Sequence, residues 1–150
     1  MFNSCSTKNI NYKVSKAISK NHNYKEIIPD KNFKLSRKAI IDSGKLSFVN
    51  FNSDTLYVLE MVDLESVRIM AKIFNNDKAL TYSFSNKEIS FNDHQYFSGK
   101  IETLVKSGDT LELIKQGNLY DTIHPRPMVY ASRIIFVNGD YKISTYTFLL

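Results

Sequence analysis

Asp93 and His94 are the first pair of side chains in this sequence that could perform acid–base chemistry. They stand in a polar stretch, with Tyr96 two residues further on. An imidazole titrates near neutral pH and can act as a general base when a carboxylate orients it. Loops often present functional groups of this kind. His94 is therefore a candidate base, Asp93 a candidate orienting group and Tyr96 a candidate binding residue.

Asp121 and His124 form a second candidate pair further along the chain. Arg126 follows between two prolines and could hold an anionic group beside the imidazole. If the two loops met in the fold, His94 or His124 could serve a small hydrolase-like enzyme. The third histidine, His22, lies in a polar N-terminal segment and is expected to be solvated.

The sequence lacks the motifs that usually accompany catalysis or metal binding. It contains no nucleophile elbow, no HExxH pair and no glycine-rich phosphate loop, and its five glycines are dispersed. Three scattered histidines and one cysteine offer no recognisable zinc spacing. We therefore expect a non-catalytic domain that uses neither a metal nor a cofactor, with the hydrolase-like enzyme as an alternative.

The segment Phe2-Asn3-Ser4-Cys5-Ser6 carries the most specific hint in the chain, and it concerns location. It resembles the end of a bacterial lipoprotein signal peptide, in which an apolar segment runs into a short box ending in cysteine. In that family the peptide is cut before the cysteine and the thiol is acylated. Phe2 would supply the apolar character and Ser4 the small residue before the cleavage site. The resemblance covers residues 1–6, so the charged and apolar regions that precede such a box would lie upstream of Met1, which would then not be the true start.

The resemblance implies a lipid-anchored protein of a Gram-negative-type bacterial envelope. It would sit on the outer or inner membrane, face the periplasm or the surface, and bind an unidentified small molecule or protein. The Ser-, Lys- and Asn-rich residues 6–32 would form its tether. Lysines near an anionic surface contribute about 1 kcal/mol each. If Met1 is instead the true start, we expect a cytoplasmic interaction protein of the antitoxin or immunity type.

The net charge of +5 is concentrated in the N-terminal third of the chain. Residues 1–45 hold ten basic and three acidic residues, whereas residues 46–150 hold ten basic and twelve acidic ones. The folded part is therefore close to neutral, which argues against a nucleic-acid-binding domain. The single cysteine excludes an internal disulfide. No apolar run approaches the roughly 20 residues that span a bilayer.

A chain of 150 residues favours one domain, which we place at residues 33–150 behind a basic, poorly ordered arm of residues 1–32. Apolar residues at helical spacing follow Asp63, a candidate N-cap, and predict the clearest amphipathic helix. The predicted helices are residues 33–43 ending at Gly44, residues 64–75, Gly99–Ser107 and a short one at 110–116.

Alternating and continuous apolar runs predict strands. Thr55–Val62 is apolar on both faces apart from Glu60, as a central strand would be. The turn Asn138-Gly139 favours a two-residue hairpin in which Val137 lies opposite Asp140. The predicted strands are residues 46–51 (paired with 55–62 as a hairpin), Thr55–Val62, Ala79–Phe84, Glu88–Phe91, Val129–Val137 and Asp140–Leu150.

These elements together predict an α+β fold. We expect an antiparallel sheet of five or six strands with two or three helices packed on one face. The C-terminal hairpin at Asn138-Gly139 should place Ile134, Phe136, Tyr141 and Ile143 on the core side.

Overall fold

A computed structural model describes residues 16–17, 30–63, 66–109 and 128–149. Residues 30–149 of this described part form six strands and two helices. The helices are α1 Asp30–Asp42 and α2 Gly99–Ser107. The strands are β1 Thr55–Asp63, β2 Arg68–Phe74, β3 Ala79–Ser85, β4 Glu88–Phe91, β5 Met128–Val137 and β6 Asp140–Leu149.

The strands form one antiparallel sheet in the order β4-β3-β2-β1-β5-β6. This confirms the predicted α+β fold with an antiparallel sheet of six strands. The predicted helix at 110–116 and the connection at 118–127 lie outside the described residues.

Strand β1 is central and buries side chains on both faces of the sheet, as its sequence predicts. Leu56 and Val58 pack with Ile40 of α1. Leu59, on the opposite face, packs with Val105 of α2. The two helices therefore cover opposite faces of the sheet, not the same face. We call these faces the α1 side and the α2 side.

The predicted amphipathic helix at residues 64–75 is wrong, because Arg68–Phe74 is strand β2. Its residues satisfy a period of two as well as a helical period. Ala71 and Ile73 join the core of the α1 side, while Met70 and Phe74 join that of the α2 side. Both faces of the sheet are covered here, so a strand in this position needs apolar residues on both of its faces.

Asp63 is consequently the last residue of β1 and not a helix N-cap. Its carboxylate accepts a hydrogen bond from Ser66 Oγ at 2.6 Å. Val67 has a positive φ of 53° as the chain turns towards β2. The polar side chain that suggested a helix start therefore belongs to a turn between two strands.

The predicted strand at residues 46–51 and its hairpin with β1 are also wrong. This segment forms turns, with hydrogen bonds from Val49 N to Leu46 O at 3.2 Å and from Asp54 N to Asn50 O at 3.0 Å. Strand β1 pairs with β2 and β5 instead. Both hydrogen-bonding edges of β1 are thus occupied, and the buried Leu46, Val49 and Phe51 cover the core of the α1 side.

Helix α1 confirms the helix predicted at 33–43 and begins three residues earlier. Its buried residues are Phe33, Ser36, Arg37 and Ile40, which share one face at helical spacing. The helix ends where Gly44, with a φ of 70°, donates its N–H to Ile41 O at 3.2 Å. One face of α1 therefore lies against the sheet and the other faces solvent.

Helix α2 and the C-terminal hairpin are confirmed in detail. Ser98 Oγ caps α2 by accepting a hydrogen bond from Ile101 N at 3.3 Å, and Gly108 ends it with a φ of 74°. Asn138 and Gly139 both have positive φ, and Val137 lies opposite Asp140. The four side chains predicted for the core side lie there, namely Ile134, Phe136, Tyr141 and Ile143.

Part of the segment predicted as an arm contacts the domain. Lys16 and Ala17 are helical, and Ala17 is fully buried in the core of the α1 side. The division at residue 33 as a whole stays a prediction, because most of residues 1–29 lie outside the described ranges. Within the described ranges, no helix has the length and apolar character needed to cross a membrane.

Candidate functional site

Asn92 organises the loop that contains the predicted residues Asp93, His94 and Tyr96. Its side-chain carbonyl accepts a hydrogen bond from the His94 main-chain N at 3.0 Å, and its amide donates to Tyr96 Oη at 3.0 Å. The His94 ring contacts Tyr96 edge-on at 5.6 Å between centroids. Asn92 N donates in turn to Thr81 O at 3.1 Å, which fastens the loop to β3.

This loop borders an open cleft of about 470 Å³ at the end of β4. Lys72 and Thr81 are paired residues on β2 and β3, so their side chains lie on the same side of the sheet. Lys72 Nζ also forms an ion pair with Glu102 of α2. The cleft is lined by Lys72, Ala79, Leu80, Thr81, Phe91, Asn92 and Asp93. It therefore combines charged and hydrogen-bonding groups with a small apolar surface.

The loop does not show the geometry of a general base held by a carboxylate. Asp93 and His94 are both exposed, and among the described residues no hydrogen bond joins their side chains. No group of three or more His, Cys, Asp or Glu side chains that could hold a metal occurs in the described ranges. The other predicted residues lie outside those ranges, namely Cys5, His22, Asp121, His124 and Arg126.

A buried ion pair between Arg37 of α1 and Glu60 of β1 is the most unusual electrostatic feature of the described residues. Arg37 Nε donates to Glu60 Oε2 at 3.1 Å, and Nη2 donates to Oε1 at 2.6 Å. The two residues are only 3% and 0% exposed. The Phe33 ring lies 5.4 Å from the guanidinium. The pair is bidentate and shielded from water, so it links α1 to the centre of the sheet.

Two tyrosines and a serine surround this pair. Burial, and then the negative charge of Glu60, raise the pKa of Tyr82 far above its usual value, while Ser36 and Arg37 act in the opposite direction. The same two causes raise the pKa of Tyr130. Among the described residues, Ser36 Oγ and Tyr82 Oη are buried without a hydrogen-bond partner of ordinary geometry. Both phenols are therefore held in their neutral form.

The buried location of this cluster indicates that it holds α1 in place and takes no part in catalysis. Its charged groups are sealed between the helix and the sheet, where no substrate could reach them. The sequence contained a signal for it, because Glu60 is the only charged residue within the predicted strand Thr55–Val62. Arg37 lies one helical turn after Phe33 and therefore on the buried face. Pairing the two requires knowing that α1 crosses β1, which the sequence does not specify.

Arg133 on β5 lies at the C-terminal end of α2. A Cβ atom added to Gly108 would lie 3.6 Å from Arg133 Nη1. The Nε atom is buried and has no hydrogen-bond partner within the described part of the chain. The negative end of the helix dipole favours a cation here. Its register partners are Tyr57 and Ser144.

Comparison with known proteins adds no relative: no family model matches the chain, and no curated protein or solved structure matches it significantly.

Replacing Glu60 with leucine should greatly reduce the free energy of unfolding, because it leaves the Arg37 guanidinium buried without its carboxylate. We expect a loss of about 3–5 kcal/mol. The double replacement Arg37→Leu with Glu60→Leu removes both charges and should recover most of that loss. Urea denaturation followed by circular dichroism measures the free energy of unfolding of the unmodified protein and of both variants.

The exposed pair Lys38–Asp42 in the same helix provides the matched control. Lys38→Ala should change stability by less than about 1 kcal/mol, since exposed ion pairs contribute little. A loss for Glu60→Leu as small as that for Lys38→Ala would contradict a structural role for the buried pair.

The raised tyrosine pKa values predict a loss of stability in alkaline solution. Above a pH of about 10, the usual tyrosine pKa, the unfolded chain releases phenol protons that the folded chain retains. Tyr82 alone should lower the free energy of unfolding by up to about 1.4 kcal/mol per pH unit in that range. The slope is measured by urea denaturation between pH 8 and 11. Tyr82→Phe should have a shallower slope, and an unchanged slope would refute the role of Tyr82.

Proposed function

We propose that this protein is a lipid-anchored bacterial envelope protein whose α+β domain binds a ligand or partner without catalysis. The observation that carries the proposal is the segment Phe2-Asn3-Ser4-Cys5-Ser6, in which Cys5 takes the position of an acylated lipoprotein cysteine. One acyl chain alone anchors marginally, so stable attachment needs further chains or basic residues. The lysine-rich N-terminal third supplies the basic residues.

The cleft at the end of β4 supports a binding role for the domain. Its volume of about 470 Å³ lies in the range of small-molecule sites. Lys72 and Asp93 offer opposite charges, and Thr81 and Asn92 offer hydrogen bonds. Lys72 and Thr81 lie on the adjacent strands β2 and β3, and Asn92 is hydrogen-bonded to Thr81, so the sheet holds these three residues rigidly. The ligand that fits this chemistry is a small polar molecule with hydroxyl or zwitterionic groups.

A small hydrolase-like enzyme is the second candidate, and one observation favours it. Asp93 lines the cleft and His94 follows it directly. His94 would then act as the general base and require substrate to bring the carboxylate and the imidazole together, since catalytic hydrogen bonds often tighten only in the complex. Turnover of a substrate by the protein, together with loss of that turnover in His94→Ala, would favour this candidate.

The anchoring is tested by the intact mass of the native protein from its own host, with membrane and soluble fractions compared. We expect a membrane-bound species that begins at Cys5 and carries added acyl mass. A soluble species that begins at Met1 or Phe2 with a free thiol would overturn the proposal. That outcome would favour the cytoplasmic interaction protein.

The binding cleft is tested by NMR screening of small polar molecules against the ¹⁵N-labelled chain. We expect hits to shift the amide signals of Thr81, Asn92 and Asp93. Thr81→Val removes one hydroxyl at nearly constant volume and should weaken binding by about threefold to tenfold. Ser83→Ala, two residues along the same face of β3, is the control and should leave the affinity unchanged. Hits that cluster elsewhere, or equal effects of both variants, would contradict the proposed cleft.

A further inference from the structure

The solvent side of α1 and the turn after it carry a row of lysines. Lys31, Lys34 and Lys38 are exposed and recur at spacings of three and four residues, which places them on one side of the helix. Lys45 follows in the turn, with its Nζ 4.5 Å from the centre of the Phe91 ring. We call these four residues the lysine face. Asp42 pairs with Lys38 and offsets part of its charge.

The rest of the described domain carries no excess charge. Residues 46–63, 66–109 and 128–149 contain eight basic and nine acidic residues. One of the nine is Glu60, whose charge the buried Arg37 neutralises. The remaining eight acids balance the eight bases. The positive excess of the described domain therefore resides on the α1 side, in the lysine face.

The chain from Cys5 reaches the domain on this same side. Ala17 is fully buried and belongs to the core of the α1 side, which also contains Ile40 of α1. Ala17 is the twelfth residue after Cys5, and a fully extended chain of that length spans at most roughly 40 Å. A domain of this size has a radius of gyration of about 15 Å. A lipid on Cys5 would hold the domain within about its own diameter of the membrane, with the α1 side nearest.

We propose that the lysine face docks on the anionic phospholipid surface of the membrane in which Cys5 is anchored. The identity of this membrane rests on the proposed function, whereas the docking surface rests on charge and burial. Lysines act as mobile point charges suited to a fluid layer of headgroups, in contrast to the fixed forks of arginine. The tether keeps the face close to the bilayer, so each encounter becomes intramolecular and weak contacts suffice.

Docking by the lysine face would fix the orientation of the domain. Lys72 and Thr81 line the cleft from the α2 side, opposite α1, whereas Phe91 lines it from the α1 side, beside Lys45 of the lysine face. The α2 side would therefore face away from the bilayer and remain open to soluble ligands or partners. The domain would act as an oriented receptor close to the membrane surface.

Vesicle flotation of the full-length Cys5→Ser protein tests the docking surface without the lipid. We expect it to float with vesicles of phosphatidylglycerol and phosphatidylethanolamine at low salt, and not with vesicles of phosphatidylcholine. Replacing Lys31, Lys34, Lys38 and Lys45 with glutamine should weaken flotation by at least about tenfold. Each lysine near an anionic surface contributes up to about a fivefold factor, so the loss of two such contacts is enough for this effect.

The matched control removes the same charge elsewhere. Glutamine replaces the exposed Lys78, Lys87, Lys100 and Lys142, and flotation should remain within about twofold of the unmodified protein. Equal losses in both variants would show a nonspecific response to net charge and overturn the proposal. The proposal would also be overturned if the protein bound a nucleic-acid oligomer more tightly than vesicles and lost that binding in the lysine-face variant. That result would favour nucleic acid as the partner.

Fluorescent labels test the orientation, because Cys5→Ser leaves a chain without other cysteines. Exposed Ser47 lies in the turn region of the α1 side, and exposed Ser90 on β4 points to the α2 side. The emission of a polarity-sensitive dye on Ser47→Cys should shift when anionic vesicles are added, whereas the emission of the same dye on Ser90→Cys should not. The reverse pattern, or equal shifts, would refute the docking orientation.

The two proposals fail separately in these experiments. Flotation of the Cys5→Ser protein reports on the lysine face whether or not the native protein is acylated. The native mass reports on Cys5 whether or not the lysine face binds lipid. If the Cys5→Ser protein does not float with anionic vesicles but the native protein is acylated, only the docking surface is rejected.

Discussion

The ion pair between Arg37 and Glu60 is the contact on which the arrangement of the rest depends. It joins the buried face of α1 to the central strand and leaves the opposite face of the helix towards solvent. Burying two charges is costly, so such a pair is weak evidence for added stability. Its effect is better described as specificity: α1 has one rotation and one height at which both hydrogen bonds form. The placement of the exposed lysines follows from that rotation.

The sheet separates the domain into two sides with different properties. The α1 side contains the larger core, closed by α1 and by the turns that bury Leu46, Val49 and Phe51. The α2 side has a shorter helix and more polar strand residues, with Arg133 at the end of that helix. One side is therefore basic and thickly covered, while the other presents the varied groups that recognition of a small polar molecule requires.

How much could be predicted depended on whether a local signal or a distant contact decides the structure. Asn138 and Gly139 specify their own turn, so the register of the C-terminal hairpin followed from two residues. Residues 68–74 fit a helix and a strand equally well, and only the neighbours β1 and β3 decide between them.

The same limit applies to the site. The sequence singled out Glu60 as a charge in an apolar strand, but its partner comes from a helix 23 residues earlier. For the loop residues, position along the chain could not predict that Asp93 would line a cleft and His94 would stand beside it.

The pairing of β1 with β5 has a consequence for the way the chain folds. The central strand pairs with β2, which follows it directly in the chain, and with β5, which follows only after β2, β3, β4 and α2. Long-range strand pairing is slow because loop closure precedes any gain from the contacts. The sheet therefore stays incomplete on one side of β1 until the distant strand β5 pairs with it. The hairpin of β5 and β6 can form locally beforehand, so its docking on the central strand is the expected late step of folding.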